Sequence, residues 1–318
     1  MISYISILPL DMWWLPPLVS FIVSIFASTG GISGAFLLLP FQFSVLNFTS
    51  PAVSATNQLY NIFGIPGGLI RYIKEGRMLW QLAAIVAIGT LPGVVAGAYI
   101  RILWLPDPDS FKVFASFVLF YIGVRLLLEI IKPLQKKASN AETKFNYYIK
   151  NSQHSKIAKN LLKINILKFN LKTLEYEFVG ENFSVSVLSI FIISMIVGIV
   201  GGIYGIGGGA IIVPIYVAFF GLPVYTIAGA TLMGTFITSI FGVITYQILS
   251  LQFPNITVAP DWVLGFLFGI GGFFGMYAGA RLQKFLPAKI IKGILLVIIL
   301  FTAFNYLSTL LKYIGKIL

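Results

Sequence analysis

Long apolar runs separated by short polar connections set the pattern of this chain. They fall at about 17–45, 52–73, 79–101, 110–131, 184–220, 226–249, 262–285 and 288–312. A helix needs about 20 mostly apolar residues to cross a hydrocarbon core, and backbone in lipid must hydrogen-bond to itself, so these runs predict helices rather than barrel strands. Four runs precede a polar stretch and four follow it. The expected architecture is an all-α integral membrane protein: residues 1–131 form a first membrane repeat, 132–183 a Lys-rich linker, and 184–318 a second repeat.

The two sets of runs resemble each other. GISGAFLLLP, Gly31 to Pro40, aligns with GIGGGAIIVP, Gly205 to Pro214, 174 positions later. SAT at Ser54 to Thr56 has its counterpart near GAT at Gly229 to Thr231, and Gly97-Ala98 recurs as Gly279-Ala280. The first run of each half exceeds one crossing and carries a glycine cluster near its middle. Unwound backbone at membrane depth is tolerated only where protein or a water-filled cavity satisfies it. Each half therefore opens either with a glycine-broken helix that crosses or with a re-entrant hairpin, followed by three transmembrane helices.

Charge chooses between these. If the broken segments cross, the halves are parallel, and Arg281, Lys284, Lys289 and Lys292 lie opposite the linker. If they fold back, the halves are inverted, and Arg71, Lys74, Arg77, the linker lysines and the 281–292 cluster share one face. Only Arg101, Lys112, Lys312 and Lys316 are then left outside. Basic loops concentrate in the cytoplasm, so inverted repeats with both termini outside are expected. Trp13, Trp14, Trp104 and Trp262 then sit at the outer interface and Trp80 at the inner one, although tryptophan marks helix ends on either face.

Composition agrees with a membrane protein: of 318 residues, 58% are hydrophobic and 10% charged, with a mean hydropathy of +0.93. The net charge of +12 does not indicate nucleic acid. Ten of the 22 basic residues are lysines between Lys132 and Lys172, where Glu142 is the only acid. That stretch reads equally as a cytoplasmic loop against anionic headgroups or as a solvated linker. No cysteine is present, which excludes disulfides and thiolate chemistry. The single histidine, His154, lies in the polar stretch, and neither a metal site nor a catalytic triad can be assembled. No enzyme activity or cofactor is expected. The first fifteen residues carry no Lys or Arg, so no secretory signal peptide is expected.

The sharpest chemical feature is the doubled glycine cluster. Gly205, Gly207, Gly208 and Gly209 correspond to Gly31, Ser33, Gly34 and Ala35. In secondary transporters broken helices meet near the midplane, and their exposed amides bind an anion that small residues allow to come close. Tight helix packing is the competing explanation. It is the better one for Gly93 and Gly97 and for Gly271, Gly275 and Gly279, spaced four apart. Polar side chains follow each cluster: Ser54, Asn57, Gln58 and Asn61 share one helical face, as do Thr231, Thr235, Thr238 and Ser239. Such faces suit an oxyanion, or equally hydrogen bonds between helices. The candidate substrate-binding residues are Gly31, Ser33, Gly34, Asn57, Gly205, Gly207, Gly208, Gly209, Thr231 and Thr235. Arg125 and Glu129 read as a local ion pair, and Arg71 and Arg281 as helix-end residues that snorkel or draw anions. No central carboxylate offers itself for proton coupling.

GGIYGIGGGAIIVPIYVAFFGLPVYTIAGATLMGTFITSIFGVITY, Gly201 to Tyr246, resembles the signature region of the TauE/SafE, or sulfite exporter, family of permeases. RYIKEGRMLW, Arg71 to Trp80, and PGVVAGA, Pro92 to Ala98, are similar to further elements of that family. The first-half cluster departs from the fuller pattern, with Ser33 and Ala35 where the second half has Gly207 and Gly209. The resemblance implies transport of sulfite, sulfoacetate or related organosulfur anions across the cell membrane. A secondary transporter of small anions is the expected function; an anion channel using the same amides, or a membrane scaffold, are the alternatives.

Overall fold

The computed structural model describes residues 12–131, 136–151 and 163–283, together with 285, 293, 296–297, 299–301, 303–304 and 306–307. The first half comprises α1 (Leu15–Thr29), α2 (Ala35–Ser44), α3 (Ala52–Lys74), α4 (Trp80–Leu103) and α5 (Pro108–Ile131). Then come α6 (Lys136–Asn151) and three strands, β1 (Asn165–Phe169), β2 (Thr173–Phe178) and β3 (Glu181–Ser186). The second half opens with α7 (Val187–Tyr204) and α8 (Gly209–Phe220), followed by α9 (Val224–Gln252) and α10 (Trp262–Leu282). Among the described residues, α4, α7, α9 and α10 are long and apolar enough to cross a membrane. In α3 a polar face dilutes the apolar character, and α5 carries Asp109, Lys112, Arg125 and Glu129.

Both long first runs are broken where the glycines cluster. α7 stops at Gly205, whose φ of 83° is left-handed, and Gly207 and Gly208 are left-handed too. Three such residues among four are accessible at low cost only to glycine. The first break needs one, Gly31 at φ 72°.

Helix directions follow from which residues meet. Leu59, Phe63 and Gly67 of α3 lie against Gly265, Gly269 and Phe273 of α10, so these two helices run the same way. The carbonyls of Pro17, Phe21 and Ile25 of α1 lie against Gly271, Gly275 and Gly279, so α1 runs with them. A chain that crossed fully through α1 and α2 would enter α3 in the opposite direction. It therefore turns back at the break, and Phe41 near the end of α2 reaches Phe268 of α10, ring centroids 6.1 Å apart. The second half repeats this. α7 runs alongside α4, with Phe191, Met195 and Ile199 carbonyls against Gly89, Gly93 and Gly97. α9 opposes α3, since Gly229 meets Tyr72 and Gly242 meets Gln58.

The two glycine triplets receive equivalent carbonyls: Pro17, Phe21 and Ile25 become Phe191, Met195 and Ile199 on adding 174. Other contacts recur at the same offset. Gly31 abuts the Ala228 backbone as Gly205 abuts that of Ser54. Tyr72 donates to the Ser28 carbonyl (3.3 Å) as Tyr246 donates to that of Gly202 (2.9 Å). Each half thus lends its opening hairpin to the other: α1 packs on α10, and α7 on α4.

Residues 163–186 depart from the all-helical expectation. β1, β2 and β3 form an antiparallel sheet in that order, with Thr173 opposite Ser186. Leu174, Tyr176 and Phe178 alternate with glutamates and are buried, as are Phe183 and Val185. The sheet and α6 seat on the start of α9. Glu142 accepts from the Val224 amide at 2.9 Å, Phe145 stacks on Tyr225 at 4.3 Å, and Tyr176 shares a 2.9 Å hydrogen bond with Thr226. This segment, read from sequence as a linker, is over its described residues a folded module. It lies on the face where α3 ends, beside Arg77, which donates to Gln283 at 2.8 Å. Trp13, Trp14, Trp104 and Trp262 gather at the opposite face, where α3 begins, and all four are exposed. His154 and all of the 281–292 cluster except Arg281 lie outside the described residues.

A methyl group on any glycine of the two triplets collides with backbone of the facing helix. Gly275→Ala should therefore lower stability by about 1–3 kcal/mol. At Gly30 an added methyl meets nothing nearer than 3.4 Å, and Gly30→Ala should stay within about 0.5 kcal/mol of the wild type. Thermal unfolding of the two variants in detergent checks the contrast.

Candidate functional site

α3 and α9 cross at the centre of the molecule, and both breaks reach that crossing. Spacings of three and four put Ser54, Asn57, Gln58 and Asn61 on one side of α3, and all four are fully buried. Ser33 in the first break donates to the side-chain Oδ1 of Asn61, and Asn61 Nδ2 donates to the Ser239 hydroxyl of α9 at 3.2 Å. Ser33 also accepts from the Ala35 amide at 3.2 Å, capping the first turn of α2. On the far side stands the second break. A Cβ at Gly207 would lie 2.7 Å from the Thr235 methyl and 3.0 Å from the Ser239 hydroxyl, and Thr238 donates to the Gly207 carbonyl at 3.3 Å. A continuous polar line therefore runs from Ser33 through Asn61 and Ser239 to Gly207.

Beside this line are amides with nothing to bond. Both side-chain polar atoms of Asn57 and of Gln58 are buried without a hydrogen-bond partner, and away from the line, near the end of α2, those of Gln42 are in the same condition. Each unsatisfied group costs roughly 1–3 kcal/mol, so a native protein retains it where water or a ligand completes it. The nitrogens donate, the oxygens accept, and none carries charge. Helices α2 and α8 begin at the breaks, and the first amides of a helix have no partner within it. The electrostatics of the site are thus those of oriented dipoles. Among the described residues no group of three or more His, Asp or Glu side chains is placed to hold a metal.

The residues expected to bind substrate fall into two groups. Ser33 and Gly207 lie on the polar line, Thr235 reaches it only with its methyl group while its hydroxyl turns back to the Thr231 carbonyl at 2.9 Å, Asn57 lies one helical turn from Asn61, and Gly34 adjoins the hydrogen-bonded Ser24–Tyr60 pair. Gly208 and Gly209 form the junction into α8; a Cβ at Gly208 would meet Val197, Ile212 and Thr90 at 3.4–3.7 Å. Gly31 and Gly205 are instead consumed by packing, pressed on the backbones of Ala228 and Ser54. Thr231 turns its hydroxyl back to the carbonyls of Ile227 and Ala228, both at 3.1 Å. Asn61 and Ser239, named only as part of polar faces, hold the centre of the line. Gln42 gave no signal, being one polar residue in an apolar helix.

The charged candidates are peripheral. Arg71 pairs with Glu75 at 2.7 Å, Arg281 is exposed at the end of α10, and Arg125 lies 5.5 Å from the centre of the Phe219 ring. The Glu129 side chain lies outside the described residues.

Substitution separates amides that hold the protein together from amides held ready for something else. Asn57→Leu removes two unpaired groups and should leave stability unchanged or raise it by up to about 1–2 kcal/mol, while flux through the protein falls at least tenfold. Asn61→Leu severs the bond from Ser33 and strands Ser239, so stability and flux should fall together. Parallel thermal unfolding and liposome flux measurements give both readouts.

Comparison with known proteins places this architecture. Over 280 residues the chain is 23% identical to the "Probable membrane transporter protein YunE" of Bacillus subtilis (strain 168), covering 85% of this chain and 88% of that protein. A shorter stretch of 102 residues is 28% identical to the "Probable membrane transporter protein YdhB" of the same organism, covering 32% of this chain and 38% of that protein. No solved structure matches. The family model for the sulfite exporter TauE/SafE matches residues 17–306, through both halves and the module between them, and the chain belongs to that family.

Proposed function

We propose that this protein is a secondary transporter that carries a small sulfur oxyanion, sulfite or an organosulfonate, across the cell membrane, and that the anion binds where the two breaks meet. Membership of the sulfite exporter family and likeness to a probable membrane transporter over most of its length support transport rather than catalysis. The observation that carries the site is the set of fully buried, unpartnered amides of Asn57 and Gln58 beside the Ser33–Asn61–Ser239 line. Amide donors and the small residues Gly207 and Gly208 suit an oxyanion, which needs several hydrogen bonds at once and no acidic neighbour.

Inverted repeats supply the mechanism. The recurring contacts between α1 and α10 and between α7 and α4 support a pseudo-twofold relation that swaps the two membrane faces. One break then points toward each face, and alternating exposure requires that one hairpin with its partner helix rock against the other. With the module and the end of α10 on one face, the basic-loop rule makes that face cytoplasmic. Lys168 on β1 and Lys172 in the turn before β2, with Lys163 just ahead of the sheet, then lie near the anionic headgroups.

The purified protein in liposomes should show saturable uptake of one or more of sulfite, thiosulfate, sulfate and sulfoacetate, above that of empty liposomes. Rapid, unsaturable chloride flux alone would replace the transporter with a channel. The chain has no cysteine, so single replacements test the topology cleanly. A cysteine at Asn140 should react with a membrane-impermeant thiol reagent only from the cytoplasmic side, and one at Asp107 only from outside.

A further inference from the structure

Arg101 ends α4 on the face where α3 begins, and it is fully buried. Its guanidinium carbon stands 4.0 Å from the centre of the Phe111 ring, and Nη1 donates to the Leu105 carbonyl. Nε and Nη2 are buried with no hydrogen-bond partner among the described residues. Asp107 and Tyr246 act on it electrostatically, but among the described residues no carboxylate lies within ion-pair distance; Asp107 instead accepts from the Ser110 amide at 2.7 Å. Burying a guanidinium without a counter-ion costs several kcal/mol, and aromatic contact plus one carbonyl recovers only part of it.

The repeat places a different arrangement at the other face. Arg101 corresponds to Gln283, offset by 182 like the glycine triplets, and each adjoins the tyrosine that clasps a hairpin: Tyr246 beside Arg101, Tyr72 beside Gln283. There the buried cation is Arg77, and it is ion-paired with Glu75, a carboxylate it shares with Arg71. One face thus carries an ion-paired guanidinium, and the other a guanidinium without an ion-pair partner among the described residues. From that guanidinium buried polar groups lead inward. Tyr246 adjoins Ser54, whose hydroxyl donates to the Ile203 carbonyl at 2.9 Å, and Ser54 begins the polar face of α3. Seven residues further, roughly 10 Å along the helix, stands Asn61.

We propose that Arg101 binds an oxyanion, presenting Nε–H and Nη2–H as a fork to two of its oxygens at the mouth of this polar lane. Adjacent guanidinium N–H groups match the oxygen spacing of sulfite, sulfonate or phosphate, which a single ammonium cannot. The assignment takes the class of anion from the proposed function and does not depend on the central site.

The test uses the full-length protein in neutral detergent freed of anionic lipid, with thermal unfolding followed against sulfite, sulfate, sulfoacetate and, separately, phosphatidylglycerol. Wild-type protein should be stabilised saturably by at least one sulfur oxyanion. Arg101→Gln should weaken that apparent Kd by about tenfold or more, and Arg101→Lys by about threefold or more, because the charge stays but the fork is lost. In liposomes the same variants should raise KM and leave the maximal rate within about twofold, a split that loss of packing alone does not produce. An unchanged Kd in either folded variant overturns the proposal, as does a wild type stabilised by none of the sulfur oxyanions or by phosphatidylglycerol alone. Should Arg101→Gln fail to fold, Arg101→Lys and the wild-type titration decide. Arg101-dependent binding without any flux would keep the anion site and remove the transporter reading, whereas flux with Arg101-independent binding does the reverse.

Discussion

The close approach of helix backbones at the two glycine triplets is the constraint on which the rest depends. In lipid no hydrophobic force draws two apolar helices together, so association rests on dispersion and on weak contacts between Cα–H groups and carbonyl oxygens, both of which need near contact. Gly271, Gly275 and Gly279 grant it to α1, and Gly89, Gly93 and Gly97 grant it to α7. Because each hairpin rests on the other half, the breaks are brought to α3 and α9 from opposite sides. Neither half can assemble the centre alone.

That arrangement explains why so many polar groups survive in the interior. The hydroxyls of Thr231 and Thr235 on α9 return to their own helix and need no neighbour. Asn61 is satisfied only because hairpin and helix meet at one point, and Asn57 and Gln58, one turn away, have no such meeting. The contrast within a single helix face separates structure from readiness: the same amide chemistry is spent in one place and left open in the next.

Much of this was legible in the sequence, for identifiable reasons. Paired clusters ending in Pro40 and Pro214 located both breaks. Four-residue spacing identified Gly93, Gly97, Gly271, Gly275 and Gly279 as packing glycines. What sequence could not separate were two uses of glycine that leave the same letter. Gly31 and Gly205 looked like anion contacts and are consumed by backbone packing, a difference that lies in the partner helix. The module was hidden by its composition: lysines drew attention to a linker, while the alternation of Leu174, Tyr176 and Phe178 with glutamates was a period-two strand signal. Arg101 looked like an ordinary outer-face charge, since burial without a counter-ion is a property of three-dimensional surroundings.

The exchange of hairpins also sets an order of events at the ribosome. Pro17 and the glycine it packs on, Gly271, lie 254 positions apart, so at about 5–20 residues per second α1 waits roughly ten seconds or more for α10. During that interval it carries Ser20, Ser24, Ser28 and Thr29 into lipid. Ser20, Ser28 and Thr29 fold their hydroxyls onto carbonyls three residues earlier in their own helix. Tyr60, the partner of Ser24, arrives with α3. The helix is thus outfitted to stand nearly alone until α10 arrives to receive it.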